Sequence, residues 1–166
     1  MQQLPNLNDI FNKNVEKFNG QPWLYDMYFY FKRLQDWELI IPEYQRSDIW
    51  SLEQKQNLIR SLYYGITIPP IILNERETNN YEDPWHLYII DWSQRIRTLQ
   101  QFFNSELEVD WFIWNEMHDA FKTKFLHIPL QSIRTNFKTE DEEKFYYYLF
   151  NTSWTHHTQN DINKVL

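Results

Sequence analysis

Residues 85–103 read Trp-His-Leu-Tyr-Ile-Ile-Asp-Trp-Ser-Gln-Arg-Ile-Arg-Thr-Leu-Gln-Gln-Phe-Phe, and the hydrophobic period changes in the middle of this stretch. Trp85 to Ile90 is a short run rich in aromatic and β-branched residues, the composition of a buried strand. From Gln94 onward Ile96, Leu99 and Phe103 recur at the spacing of one helical face. Asp91 to Ser93 is therefore a strand-to-helix turn. Such a turn offers amide N–H groups with no intrahelical partner and the positive end of a helix dipole, which together attract anions. Arg95 adds a planar guanidinium suited to phosphate oxygens, and Asp91 a carboxylate able to hold Mg²⁺ or accept a proton. The same residues also read as a plain helix start, with Asp91 or Ser93 as N-cap and Arg95 on the surface.

Working outward, Tyr25 to Gln35 places Met27, Tyr28, Phe31 and Leu34 on one face and predicts an amphipathic helix. Glu38 to Ile41 predicts a short strand closed by Pro42. Ser51-Leu52-Glu53-Gln54 has the form of a capping box and opens a helix through Tyr64, which Gly65 ends. Ile71 to Leu73 predicts a buried strand after Pro69-Pro70, and Thr78 to Pro84 a polar, hairpin-like loop. Leu107 to Trp114 suits a short hairpin, and Glu116 to Phe125 and Glu142 to Phe150 suit helices. A polar turn, Asn151 to Asn160, follows. The acidic run Glu140 to Glu143 reads as a solvated helix start, and the aromatic stretch Phe145 to Phe150 as core. Strands and helices alternate without a regular βαβ repeat, which favours an α+β class in a single domain spanning 1–166.

At 166 residues, 42% hydrophobic and 19% aromatic, the chain is long enough for one real core and too short for two ordinary domains. No apolar run approaches the roughly 18 residues of a spanning helix, and Met1 to Asp9 lacks the order of a signal peptide. A cytoplasmic location, in a bacterial or phage-infected cell, is the simplest expectation. A net charge of −7 argues against a general nucleic-acid coat but leaves room for a local cluster of arginines. With no cysteine there is no disulfide, thiolate metal site or thiol nucleophile.

Two further segments place polar residues where an element ends. Ile41-Pro42-Glu43-Tyr44-Gln45-Arg46 leaves a strand, and Arg46 either reaches phosphate with Gln45 beside it or pairs with Glu43 or Asp48. Asn151-Thr152-Ser153-Trp154-Thr155-His156-His157-Thr158 follows the aromatic helix. Adjacent histidines tend to point apart and lack helical ligand spacing, so a polar turn or a single working histidine is favoured over a metal pair.

Taken together, the three segments resemble the ParB/sulfiredoxin-like superfamily, in the branch whose signature is Asp-Gly-Gln-Gln-Arg. That branch includes N-terminal domains of modification-dependent restriction enzymes and phage 5-hydroxymethyluracil DNA kinases. The resemblance runs over about residues 35–163, through Ile41 to Arg46 with Trp50, Gln54 to Ser61, Gly65 to Leu73, Ile90 to Arg95 and Thr98-Leu99. It implies a small mixed sheet packed with helices, and a nucleoside triphosphate bound with Mg²⁺. The nucleotide-binding set it implies is Tyr44, Gln45, Arg46, Ser93, Gln94, Arg95, Asn151 and Thr155. Asp91, Arg95 and His157 are the implied catalytic residues, with Asp91 the metal ligand. The tail, Phe150-Asn151 with Thr155, His157-Thr158 and Asp161, resembles the DNA kinases in particular. The activity so implied is phosphoryl transfer from the nucleotide to a hydroxymethylated base in DNA. The alternatives are an NTPase that gates a separate nuclease, or an inactive nucleotide-binding or interaction module. The kinase-like relatives continue into a helical region after the third segment, which leaves open whether this is a minimal or a shortened form.

Where this chain departs from the pattern, it does so with tryptophan. Trp92 and Trp154 stand where the branch carries glycine, and Trp37 and Trp111 stand in turns beside strands that usually carry it; Ser93 replaces a glutamine. Glycine numbers 2 and tryptophan 8, against an average glycine content of roughly 7%. Two explanations stand open: a decayed site, or a gene in which UGA means glycine but was translated as tryptophan.

Overall fold

The computed structural model describes residues 20–45, 48–77 and 85–152. The chain runs β1 (Gln21–Asp26), α1 (Met27–Gln35), β2 (Leu39–Ile40), α2 (Leu52–Tyr63), β3 (Ile71–Glu77), β4 (Trp85–Asp91) and α3 (Ser93–Phe103). A 3₁₀ turn (Trp114–Glu116), α4 (Asp119–Leu126), β5 (Pro129–Thr135) and α5 (Glu140–Thr152) complete it. The strands form a five-stranded mixed sheet in the order β1-β5-β3-β4-β2. β1–β5 and β3–β4 are antiparallel, while β3–β5 and β2–β4 are parallel. The α+β class expected from the sequence is the one observed.

Alternation along the central strands gives the sheet two buried faces. Ile71 and Leu73 of β3, with Leu87 and Ile89 of β4, join the main core, where Met27 and Tyr30 of α1, Leu62 of α2, Leu99 and Phe102 of α3 and Phe125 of α4 meet them. Ile72 and Ile90 point the other way, into a smaller cluster with Phe137 that Tyr146, Tyr147 and Phe150 of α5 cover. β3 and β4 read as continuous apolar runs because both of their faces are covered.

Local signals set several boundaries. Ser51 and Gln54 form the reciprocal capping box, with Gln54 N–H donating to Ser51 Oγ (3.2 Å) and Ser51 N–H to Gln54 Oε1 (2.9 Å). Gly65 takes φ +70° immediately after α2, as a helix-ending residue should. Other boundaries differ from expectation. Tyr25 and Asp26 belong to β1, and α1 starts only at Met27, because the Asp26 carboxylate caps it by accepting from Phe29 N–H (3.1 Å). β1 and β5 carry no clear apolar alternation. β1 is a largely exposed edge strand, and two of the buried positions of β5 are Ser132 and Thr135. α5 begins at Glu140 and runs through Thr152, so Asn151 and Thr152 are helical, not part of a turn. The loop expected at Thr78 to Pro84 lies outside the described residues.

The acidic run at the start of α5 is not wholly solvated. Glu143 is fully buried. Its carboxylate accepts from Asn74 Nδ2 (2.7 Å), Arg76 Nε (2.6 Å) and the Tyr44 hydroxyl (3.2 Å), and forms a second bond with Arg76 Nη2. Asn74 is completed by Phe137 N–H (2.7 Å) and Thr135 Oγ1 (2.9 Å) donating to its oxygen. A buried carboxylate persists only when its lone pairs are satisfied, and four donors do so here. The network fixes α5 to β3 and, through Tyr44, to the segment that leaves β2. Glu143→Ala should destabilise the protein by about 3 kcal/mol or more, because Asn74 and Arg76 lose their shared acceptor. Urea denaturation checks this, and a loss below about 1 kcal/mol would mean that α5 is held by its aromatic face alone.

Candidate anion site at the ends of β2 and β4

Parallel pairing of β2 with β4 sets Leu39 against Leu87 and Ile40 against Tyr88, so both strands end on the same edge of the sheet. The first two sequence segments therefore emerge side by side. In open parallel α/β sheets ligands bind outside the carboxyl ends of strands, and β2 and β4 form a parallel pair of that sort here. At this edge β4 is bulged: Leu73 pairs with Ile89 and Ile72 with Asp91, leaving Ile90 as the extra residue.

Two glutamines join the segments in opposite directions. Gln45, buried, directs its Nε2 to the Ile89 carbonyl and, at 3.4 Å, to the Ile90 carbonyl, beside the bulge. Gln94, also buried, accepts on its Oε1 from the backbone N–H groups of Ile49 (2.9 Å) and Trp50 (3.3 Å). Each segment thus satisfies backbone groups of the other. Asp48 extends the contact to α2 and α3, pairing with Lys55 and accepting from Gln101 Nε2 (3.0 Å). Asp48 is thus engaged by Lys55 and Gln101, and the expected pairing of Arg46 with Glu43 or Asp48 lies outside the described residues.

The turn itself is unusual. The N-cap of α3 is Trp92, at φ 100° and ψ 10°, and it makes no side-chain capping bond. Neither Asp91 nor Ser93 is the cap, so the plain helix-start reading of those two side chains does not hold. The Arg95 guanidinium lies over the Trp92 ring, 4.5 Å from its centroid. Arg95 Nη1, Trp92 Nε1 and Gln45 Oε1 are enclosed without a hydrogen-bond partner. Burial pulls the Arg95 pKa below its ordinary value, while the charge of Asp91 pushes it back up. A partly desolvated cation with an unmet donor at a helix N-terminus is an electrostatic demand for an anion. Tyr44 stands nearby in sequence and is committed elsewhere: its hydroxyl donates to Glu143, and burial followed by that carboxylate pushes its pKa well up.

Of the residues implied by the sequence, Gln45, Asp91, Ser93, Gln94 and Arg95 are gathered around the β4–α3 turn. Gln94 acts inward, as a tie between segments, and Ser93 is buried. Arg46, Thr155 and His157 lie outside the described residues, as do Trp154 and His156. Asn151 falls in the last turn of α5, one residue after Phe150, which packs against the cluster containing Ile90. Among the described residues no group of three or more His, Cys, Asp or Glu side chains could hold a metal. The sequence reading missed Glu143 and Asn74; the acidic run concealed the first, and a polar residue in an apolar strand was the available signal for the second. A cavity of about 180 Å³ lies elsewhere, among Ile59, Tyr63, Phe102, Phe121 and Phe125, and includes none of the motif residues. No helix among the described residues is long and apolar enough to cross a membrane.

Gln94→Ala should cost roughly 1–3 kcal/mol, because two backbone donors lose their acceptor. Hydrogen exchange at Ile49 and Trp50 is the direct readout, and protection there unchanged in Gln94→Ala would show that the tie is dispensable.

Among curated proteins none matches this chain significantly. Two solved structures are similar to it. One is the C-terminally truncated chromosome-partitioning protein ParB from Caulobacter crescentus complexed with CTP-γ-S, at TM-score 0.48 and 9% identity, covering 86% of this chain and 58% of that one. The other is a Pnob8-like ParB-N domain, at TM-score 0.45 and 14% identity, covering 89% and 43%. The chain thus spans less than two thirds of either. The family of the GmrSD restriction endonuclease N-terminal domain matches over residues 25–165, which takes in every described element from the end of β1 onward. With most of its length matched, this chain belongs to the GmrSD restriction endonuclease N-terminal domain family.

Proposed function

We propose that this chain is a nucleoside-triphosphate-binding module of a DNA restriction or modification system, with the phosphates held at the β4–α3 turn. The observation that carries this is Arg95, a partly buried guanidinium with an enclosed, unpartnered Nη1 at the N-terminus of a helix. A phosphate chain placed there would meet the N-terminal end of α3 and the Arg95 fork together. Gln45 Oε1, also unpartnered, would accept a hydrogen bond from the ligand. Arg46 would add a second cation. Mg²⁺ held by Asp91 and the phosphates would neutralise charge that develops on the oxygens.

Membership in a restriction-endonuclease domain family favours a module whose nucleotide state controls a nuclease supplied by another domain or chain. In that reading water attacks the γ-phosphorus, the bond to the β–γ bridging oxygen breaks, and the proton leaves to Asp91 or solvent. The second reading, transfer to a hydroxymethylated base in DNA, is favoured by the resemblance of the Asn151, Thr155 and His157 tail to the DNA kinases. There the base hydroxymethyl oxygen replaces water as the attacking group, and His157 would orient it.

Calorimetric titration with ATP, CTP and GTP, with and without Mg²⁺, tests the shared part of both readings in this chain and in Trp92→Gly. Micromolar binding of one nucleotide, weakened roughly 10- to 100-fold by Arg95→Ala, is the expected result. No binding by either form removes the proposal. Labelled γ-phosphate then separates the two readings: label recovered as free phosphate supports the NTPase, and label on hydroxymethyluracil-containing DNA supports the kinase.

A further inference from the structure

Among the described residues five that are not glycine take positive φ: Trp37 (60°), Trp92 (100°), Ser105 (64°), Asp110 (49°) and Trp111 (70°). Only a few per cent of non-glycine residues do so, and bulky ones rarely. Three of the five are tryptophan, so the coincidence needs a cause.

Each of the three occupies a turn with its own reason to demand glycine. Trp37 follows α1, where the Glu38 N–H closes back on the Arg33 carbonyl (3.0 Å). The Ile66 N–H makes the same six-residue closure to the Ser61 carbonyl (2.8 Å), and the residue inside that loop is Gly65, at φ 70°. Trp111 is the second central residue of a two-residue turn in which Val109 and Phe112 exchange N–H···O bonds of 3.0 and 2.9 Å. With positive φ at both 110 and 111, that turn is the kind Asp-Gly satisfies best. Trp92 joins β4 to α3. Tryptophans elsewhere behave differently: Trp23, Trp50 and Trp114 are absent from the positive-φ set, and Trp114 packs in the core.

Decay of a nucleotide pocket would account for position 92 alone. Trp37 and Trp111 lie in other turns and are 80% and 91% exposed, so their indoles gain little burial to offset the strain. UGA, a stop codon in the standard code, is reassigned to tryptophan in some lineages and to glycine in others. We infer that positions 37, 92 and 111 are glycine in the protein as its own cell makes it, encoded by UGA. At position 92 the consequence rests on the function proposed above: the indole that lies over Arg95 is absent, and the guanidinium is open to a phosphate.

Sequencing the gene tests this first. UGA at 37, 92 and 111 with UGG at 50 and 114 is expected, and UGG at 37, 92 and 111 overturns the inference. Melting temperature gives an independent reading. Trp37→Gly and Trp111→Gly should each raise it by about 2–4 °C, whereas Trp114→Gly should lower it. A fall in both turn variants would overturn the backbone argument. Titration of Trp92→Gly with nucleotide separates the two proposals. UGA codons and raised melting temperatures without nucleotide binding would leave the glycine assignment standing and remove the phosphate site.

Discussion

The structure depends on one pairing, that of β2 with β4. A two-residue parallel ladder, Leu39–Ile40 against Leu87–Tyr88, carries little energy of its own. What secures it is the exchange of side-chain hydrogen bonds just beyond the strand ends, Gln45 to the carbonyls of β4 and Gln94 to the amides at 49 and 50. Both glutamines are buried, so without them the backbone groups that they satisfy would be shut from water with no partner. The bulge at Ile90 and the turn at Asp91 are built on this exchange, and the direction of α3 follows from the turn.

A second polar network serves the opposite face. Glu143 and Asn74 join α5, β3 and the stretch from Thr135 to Phe137 that leaves β5, and Tyr44 connects that network to the first segment. The smaller cluster of Ile72, Ile90 and Phe137 lies under α5. Phe150 near the end of α5 is thus tied by packing to the strand that delivers Asp91. Stability and site geometry share the same residues here, so substitutions at Gln45, Gln94 or Glu143 should be separated from ligand effects by folding measurements.

The central half of the molecule was legible in the sequence because its signals were local. The capping box at Ser51 and Gln54, the stop at Gly65, the apolar runs of β3 and β4 and the change of period at Asp91 each sit within a few residues. The outer strands were not. β1 is exposed along most of its length and β5 buries Ser132 and Thr135, so neither shows alternation, and only their pairing with each other and with β3 makes them strands. At the site, Arg95 and Asp91 could be read from a turn between two regular elements. The inward role of Gln94 could not, since its partners lie 44 and 45 residues away. Glu143 was concealed by its neighbours: Glu140 and Asp141 are exposed, and one acidic run contains both solvated and fully buried carboxylates.

The most direct test of a phosphate site at the end of β4 is a residue-resolved one. In ¹⁵N-labelled Trp92→Gly protein titrated with nucleotide and Mg²⁺, the largest shifts should fall on the amides of Ser93, Gln94 and Arg95 and on the side-chain amide of Gln45. The amides of Tyr63 and Phe121, beside the apolar cavity, should stay in place. Shifts centred on Tyr63, Phe112 and Phe121 with residues 93–95 unmoved would contradict the account.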